Sequence, residues 1–194
     1  MKLRRSSSVK PTSSVRLRRA LLEAVRTHEA LFSEDVFKKI LLAAAKITQT
    51  YRRGGKLILY GNGGSASDSL HIAGEFLGRF GHHLKRPSLP AIALSENPAA
   101  VTAISNDYGY LDVFARQMEG FGAARDIAIG ISTTGNSQNV LKATQVARRK
   151  KMFTIGLTGK SGGRLRRLVD LCIRVPSENT QRIQESHITI GHAI

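Results

Sequence analysis

The sequence predicts an α/β protein: a three-layer α/β/α sandwich around a central five-stranded parallel sheet, doubly wound and preceded by N-terminal helices. Three observations predict it. Five short runs, at residues 57–60, 91–94, 127–131, 153–157 and 171–175, are apolar throughout but for Thr154 and Arg174. A strand covered on one face alternates apolar and polar residues, whereas a continuous run belongs to a strand covered on both, the usual case in parallel sheets. Longer helical patterns separate the runs, and alternating strands and helices imply crossover connections. At 194 residues the chain suits one domain with a sizeable core, and no internal repeat or second domain is visible.

The elements follow in order. Residues 1–14 carry Ser6-Ser7-Ser8 and Pro11-Thr12-Ser13-Ser14 among basic residues, which predicts a disordered basic tail ahead of a single domain over 15–194. An Arg- and Ser-rich, acid-free segment also resembles an organelle transit peptide, and it lacks the apolar core of a secretory signal. Leu17, Leu21, Val25, His28 and Phe32 recur at helical spacing, so a first amphipathic helix is expected. Ser33 can cap a second. Glu34 and Asp35 sit in its first turn, Arg52 and Arg53 in its last, and Gly54-Gly55 ends it, as the helix dipole and C-cap rules favour. Val36, Ile40, Leu41, Ala44 and Ile47 are its expected buried stripe. Asn97-Pro98 supplies an N-cap and a first helical residue further on, and residues 138–149 read as another helix. Ile183, Ile190 and Ile194 mark the buried stripe of a C-terminal helix that turns Gln184, His187 or His192 inward. His82 and His83 read as loop residues beside Lys85 and Arg86, with no role assigned.

Composition narrows the function classes. No apolar run approaches the length that spans a bilayer, so a soluble, cytoplasmic protein without a membrane partner is expected. Cys172 stands alone within Leu171-Cys172-Ile173, which fits a small core residue in a reducing compartment. The formal charge of +16 invites a nucleic-acid reading. Its distribution argues against one. Seven of the basic residues (Lys2, Arg4, Arg5, Lys10, Arg16, Arg18 and Arg19) fall in the first twenty positions. The others scatter, with small clusters at Arg148-Arg149-Lys150-Lys151 and from Arg164 to Arg167, and without aromatic interleaving for base stacking. No specific nucleic acid is expected. A basic surface also suits anionic small molecules.

Ligands of such sheets gather at the carboxyl ends of strands and on helix N-termini. After the first strand comes Gly61-Asn62-Gly63-Gly64-Ser65, where glycines admit close backbone approach and Asn62 and Ser65 offer polar contacts. A tight strand-to-helix turn would need the same glycines. After the third strand comes Ser132-Thr133-Thr134-Gly135-Asn136-Ser137. Its four hydroxyls, at a helix N-terminus where main-chain N–H groups are unpaired, suit a phosphate monoester; a cap needs only one. It is not a Walker loop, because no Gly-Lys-Ser/Thr closes it. His71 and Glu75 share a helix face one turn apart. Together they can bind a divalent metal, or the Glu can act as a base.

Those stretches carry a resemblance. With His71-Ile72-Ala73-Gly74-Glu75-Phe76, Leu89-Pro90-Ala91-Ile92-Ala93-Leu94, Asn106-Asp107-Tyr108-Gly109-Tyr110, Gly156-Leu157-Thr158-Gly159, Val175-Pro176-Ser177 and Arg182-Ile183-Gln184-Glu185, the chain resembles the sugar-isomerase (SIS) domain proteins. Within them it is most similar to the bacterial phosphoheptose isomerases. The resemblance covers about residues 30–194 and implies a flavodoxin-like fold. It also implies conversion of sedoheptulose 7-phosphate to D-glycero-D-manno-heptose 7-phosphate, for lipopolysaccharide or other cell-surface glycans. It implies one zinc ion per subunit at His71, Glu75, Gln184 and His192. Substrate contacts would come from Asn62, Gly63, Gly64, Glu75, Asn106, Asp107, Ser132, Thr133, Thr134, Ser137 and Gln184, and Glu75 and His192 would be the acid/base pair. A homotetramer with active sites between subunits is implied as well. Thr134 stands where serine is common, Leu70 where glutamine often precedes the metal histidine, and Asn97-Pro98 where an Asp-containing turn is usual; the basic tail has no counterpart. Relatives continue past His192, so a shortened C-terminal helix is expected.

Isomerisation moves a proton between neighbouring carbons, a task for a carboxylate base at Glu75 with His192 serving the oxygen side. Gln184 and His192 are eight residues apart, about 12 Å along a helix and about 80° around it, while metal–histidine bonds are about 2 Å. The expectation is therefore that one ion draws on two chains or that one of the pair lies outside the inner ligand set. The rival reading is a non-catalytic SIS module: a phosphosugar sensor, or a protein-binding regulator of the replication-initiation type. Such relatives lack the His71/Glu75 combination.

Overall fold

The computed structural model describes residues 11–78, 81 and 85–194, with side chains from Ser13 onward. The first ten residues of the expected tail, and His82 and His83, lie outside the described residues. Two helices come first, α1 (Pro11–Glu29) and α2 (Glu34–Arg52). Strand β1 (Leu57–Gly61) leads to α3 (Gly64–Leu77), β2 (Ala91–Ala93) to α4 (Pro98–Tyr108) and α5 (Val113–Phe121), and β3 (Ile127–Ser132) to α6 (Gln138–Arg149). Strands β4 (Phe153–Thr158) and β5 (Leu171–Arg174) follow, then α7 (Thr180–Ala193). All neighbours pair in parallel, in the order β2-β1-β3-β4-β5. This is the expected five-stranded sheet, doubly wound. The chain moves outward from β1 to β2 and then returns to the other side for β3, which puts the switch point of the topology between the carboxyl ends of β1 and β3.

Alternate side chains build two cores, because successive strand residues face opposite ways. Leu57, Leu59, Ile129, Ile131, Ile155 and Ile173 pack with Ile47, Ile72, Ile183 and Ile190 beneath α2, α3 and α7. Ile58, Tyr60 and Ala128 pack with Val113, Phe114, Met118, Val140 and Leu141 beneath α5 and α6. On this second face the Tyr60 ring crosses Gly130, where an added Cβ would stand 3.2 Å from a ring carbon. Its hydroxyl reaches Thr144 Oγ1 at 2.8 Å, which satisfies a phenol that burial keeps neutral and pushes up in pKa.

Four expectations change. The apolar stripe expected of the first helix points outward: Leu17 is 63 % and Leu21 61 % exposed in α1, and Phe32, in the 3₁₀ turn after it, 79 %. The inner side of α1 is polar. Arg182 donates to the Ala20 carbonyl at 2.6 Å, Asn179 donates to the Glu23 carboxylate at 3.2 Å, and His28 Nε2 lies 3.0 Å from Thr189 Oγ1. These bonds seat α1 on α7 and leave its apolar side to solvent. The helix also starts at Pro11, so residues 11–14, read as tail, are helical; proline suits a first turn, whose N–H groups have no partner. In α2, Leu41 is exposed and Ala43 is buried in its place. Between β4 and β5 only a 3₁₀ turn, Leu165–Arg167, stands where a helix was expected. Gly162 and Gly163 at φ +74° and +51° fold that crossover back tightly, and buried Leu165, with Leu168 and Val169 packed partly beside it, anchors it in the core.

His187 of α7 is wholly buried, and neither ring nitrogen makes a hydrogen bond of ordinary geometry. Burial pushes its pKa down to about 4, against a smaller upward pull from the Thr158 main chain. The unfolded chain therefore binds a proton at this position that the folded one refuses, and stability is lost as pH falls from about 6.5 toward 4. Urea unfolding of chelator-treated protein should show about 2 kcal/mol more loss between pH 7.5 and pH 5 for the unaltered chain than for His187→Leu. Equal losses in the two proteins would remove His187 as the cause.

Candidate active site

The site forms where β1 and β3 end. Gly63 has φ +55° and ψ −123°, which only glycine adopts readily. That turn reverses the chain from β1 into α3. Gly64 then opens the helix with no side chain, and a Cβ there would stand 2.2 Å from Gln184 Nε2. The glycines thus serve both readings: they form the turn, and they let the Gln184 amide lie on the backbone of the first turn of α3. Asn62, just before them, pairs its amide reciprocally with Asn139, donating at 2.8 Å and accepting at 2.9 Å, and accepts the Tyr110 hydroxyl at 2.9 Å.

Two turns along α3, His71 and Glu75 project on one face, with His71 Nε2 3.4 Å from Glu75 Oε1. His192, in the last turn of α7, brings its Nε2 to 2.9 Å from His71 Nε2. One ligand atom from each of the three lies within 4.8 Å of the others. The approach depends on Gly191: a Cβ there would stand 2.6 Å from Ile72 Cδ1. Two imidazole nitrogens and a carboxylate oxygen so placed are a donor set suited to a zinc-like divalent ion. Asp68, one turn before His71, has its carboxyl pushed up to about 6 by burial, with the His71 charge opposing, and its Oδ2 lacks a hydrogen-bond partner.

The hydroxyl loop is the wall on the β3 side. Ser132 Oγ lies 3.0 Å from Ser137 Oγ, and Thr134 Oγ1 accepts from the Asn136 N–H at 3.2 Å. Ser137 occupies the N-cap of α6 without using its side chain as a cap, so ordinary capping does not account for these hydroxyls. Gly135, at φ +66°, packs on the Gly162 carbonyl, where a Cβ would come within 2.1 Å. A cavity of about 180 Å³ opens beside Thr133 and Thr134 and includes Lys160. A second, of about 320 Å³, adjoins Glu75 and His192 and is walled by Tyr51, Phe76 and Arg86.

The structure thus gathers His71, Glu75 and His192 and sets Gln184 apart from them, at the start of α3. The eight-residue spacing on α7 requires such a separation. Asn106 and Asp107 lie exposed on the last turn of α4, where Asn106 donates to Asp107 at 2.8 Å. Among the described residues no hydrogen bond joins them to the histidines. Three contributors escaped the sequence reading. Asn139 and Tyr110 hold Asn62, and Arg86 donates to the main-chain carbonyls of Glu75 at 2.6 Å and Phe76 at 2.8 Å, fixing the end of α3. Asn139 sits two residues beyond the hydroxyl loop, which was a signal; Arg86 lies in a loop and gave none.

Comparison with known proteins finds similar chains by sequence and by fold. A family model described as the SIS domain matches residues 21–159. A phosphoheptose isomerase of Aneurinibacillus thermoaerophilus is 48 % identical over 172 residues, covering 88 % of this chain and 86 % of its own. A phosphoheptose isomerase structure from Francisella tularensis superposes with a TM-score of 0.88 at 34 % identity, covering 93 % of this chain and 94 % of that one. One from Neisseria gonorrhoeae gives 0.86 at 37 %, covering 93 % and 95 %.

Replacing Gly191 by valine should push the end of α7 off Ile72 and carry His192 away from His71. Zinc affinity, measured by competition with a chromogenic chelator, is expected to fall at least tenfold while the circular dichroism spectrum is kept. Unchanged affinity would show that the close approach of the two helices does not assemble the site.

Proposed function

The chain belongs to the phosphoheptose isomerases of the SIS-domain family, and from that premise we propose that it interconverts sedoheptulose 7-phosphate and the corresponding aldose, D-glycero-D-manno-heptose 7-phosphate. The observation that carries the reading is the convergence of His71, Glu75 and His192 at the sheet edge that also presents the hydroxyl loop. A phosphate on the loop, through Ser132, Thr133, Thr134 and Ser137 with the N-terminal N–H groups of α6, would hold one end of an extended sugar. The other end would then lie toward the carboxylate and the imidazoles.

Glu75 takes the proton from C1, the C1–C2 bond becomes double, and O2 is protonated. Returning the proton to C2 while O1 releases its own places the carbonyl on C1, with no net change in protons. His192 serves these oxygens. Asn62, held by Asn139 and Tyr110, has its amide fixed before a ligand arrives, and fixed dipoles favour the developing enediolate more than mobile water does. His71, Glu75 and His192 would hold a divalent ion through one atom each, which leaves the second Glu75 carboxylate oxygen for the proton. Zinc would be the first choice for nitrogen and carboxylate donors, and Gln184 would join only from another copy of the chain or from outside the inner ligand set. When bound, the ion polarises the sugar oxygens and stabilises their negative charge.

A homotetramer with sites between subunits accords with what the single chain exposes. Leu17, Leu21, Leu22 and Val25 of α1, Phe37, Leu41 and Leu42 of α2, and Tyr108 and Leu111 near α4 are all exposed, and α4 has no buried residue. Apolar side chains left exposed on both sides of the sheet suit cover by further copies of the chain, and Asn106 and Asp107 lie exposed on α4 among them. Among the described residues no helix is long and apolar enough to cross a membrane. A cytoplasmic role without specific nucleic acid, in heptose supply for lipopolysaccharide or related glycans, fits the small-molecule site. The sensor or regulator alternative explains the phosphate loop but not three converging proton- and metal-binding groups.

Metal-replete protein incubated with sedoheptulose 7-phosphate should form the aldose, and chelation should stop it. Glu75→Gln is expected to lower kcat by a factor of about 10² to 10⁴ while sedoheptulose 7-phosphate, followed by calorimetry, still binds. Turnover retained in Glu75→Gln would eliminate it as the base.

A further inference from the structure

Another cavity lies at the opposite end of the molecule. Arg125 and Asp126 stand just ahead of β3, Met152 ahead of β4 and Asp170 ahead of β5, so the floor of this cavity is the amino edge of the sheet. α2 forms one wall with Lys46, Thr50 and Arg53, and the end of α6 forms the other with Arg148 and Lys151. Strand β3, of six residues, separates it from the hydroxyl loop by about 20 Å. Its volume is about 510 Å³, within the range of small-molecule sites.

The charges within it are not balanced by one another. Lys46, Arg53, Arg125, Arg148 and Lys151 face two acids, and both acids are engaged elsewhere. Asp126 accepts from the Lys56 ammonium at 2.6 Å and from the main-chain N–H groups of Lys56 and Ala123. Asp170 accepts from both the N–H and the hydroxyl of Thr154 at 2.8 Å. Among the described residues Arg53, Arg125 and Lys151 make no ion pair. Lys151 is also the one non-glycine residue with positive φ among the described residues, at +60°. This conformation disfavours any side chain, and glycine is the usual occupant after a helix. Here it holds a cation at the rim of a cleft already rich in them. Collecting like charges in one concave space raises their mutual repulsion, and an anion relieves it.

We propose that this cleft binds a small anion carrying two or more phosphate groups, one per subunit, at a site separate from the sugar-phosphate site. Two facing basic walls give each of several phosphates a cation, and guanidinium forks match phosphate oxygens in pairs. A single phosphate would leave most of the cations uncompensated. The proposal is independent of the isomerase reading, since it concerns residues on the other edge of the sheet.

The test is calorimetry on the full chain with inorganic tripolyphosphate as probe, at physiological salt. Saturable binding at one per subunit is expected, with orthophosphate at least 100-fold weaker. Lys151→Gly combined with Arg125→Ala should weaken it at least tenfold; glycine relieves the backbone at 151, so the fold is not at risk there. Arg166→Ala with Arg167→Ala, outside the cleft, should leave it unchanged, as should Lys160→Ala beside the hydroxyl loop. Adenosine triphosphate binding as tightly as tripolyphosphate means that phosphates alone are read, and tighter binding means that a nucleoside is read too; either supports the site. No saturable binding, equal loss in the Arg166/Arg167 variant, loss on Lys160→Ala, or displacement of the probe by equimolar duplex DNA would overturn it.

Discussion

Everything at the active edge depends on how closely α7 lies along α3. Both helices follow parallel strands and run in the same direction, so they meet at two levels: Gln184 rests on Gly64 at the start of α3, and Gly191 rests on Ile72 further along. Each contact uses a missing side chain. Without the first, the Gln184 amide would meet a Cβ; without the second, His192 would not stand 2.9 Å from His71. The two glycines turn a packed helix pair, of the kind that usually only buries apolar surface, into a place where three ligand atoms converge. Burial of Ile72, Ile183 and Ile190 beneath that pair supplies the stabilisation that holds the polar groups together.

The sheet divides the labour. Its carboxyl edge carries unpaired helix N-termini, glycine turns and hydroxyls, and its switch point between β1 and β3 opens space for a ligand. Its amino edge carries excess positive charge instead, with Asp126 and Asp170 drawn into main-chain bonds that pin the strands. The polar pairs of the active edge are held from behind: Asn139 sets Asn62, and Arg86 sets the end of α3 beneath Glu75. The outward-facing stripe of α1 and the unburied α4 mark surface that the single chain does not cover.

Much of this was legible in the sequence, for reasons that are physical. Runs apolar throughout announced buried parallel strands, and all five strands lie where the runs do, within a residue or two. The His71/Glu75 spacing and the 132–137 hydroxyls were local signals, and local periodicity places them on one helix face and one helix N-terminus. What failed was non-local. The stripe of α1 is periodic whichever neighbour covers it, so its direction could not be read; polar Glu23 and Thr27 turned out to face the domain. Leu41 gave way to Ala43 because α2 is rotated slightly from the expected face. The β4–β5 crossover was read as helix although Gly159, Gly162 and Gly163 argued for a tight path. Tyr110 acts across 48 residues and Arg86 reaches back from a loop to main-chain carbonyls, contacts that no periodicity reveals.

The central claim is that one chain's His71, Glu75 and His192 form a divalent-ion site facing a sugar phosphate held by residues 132–137. Anomalous diffraction at the zinc edge, from crystals of the assembled protein grown with zinc and sedoheptulose 7-phosphate, tests it most directly. The account predicts one peak per subunit at about 2 Å from the two histidine nitrogens and the carboxylate oxygen, with phosphate density on the hydroxyl loop. A peak bound elsewhere, or those three side chains turned from the sugar, would contradict it.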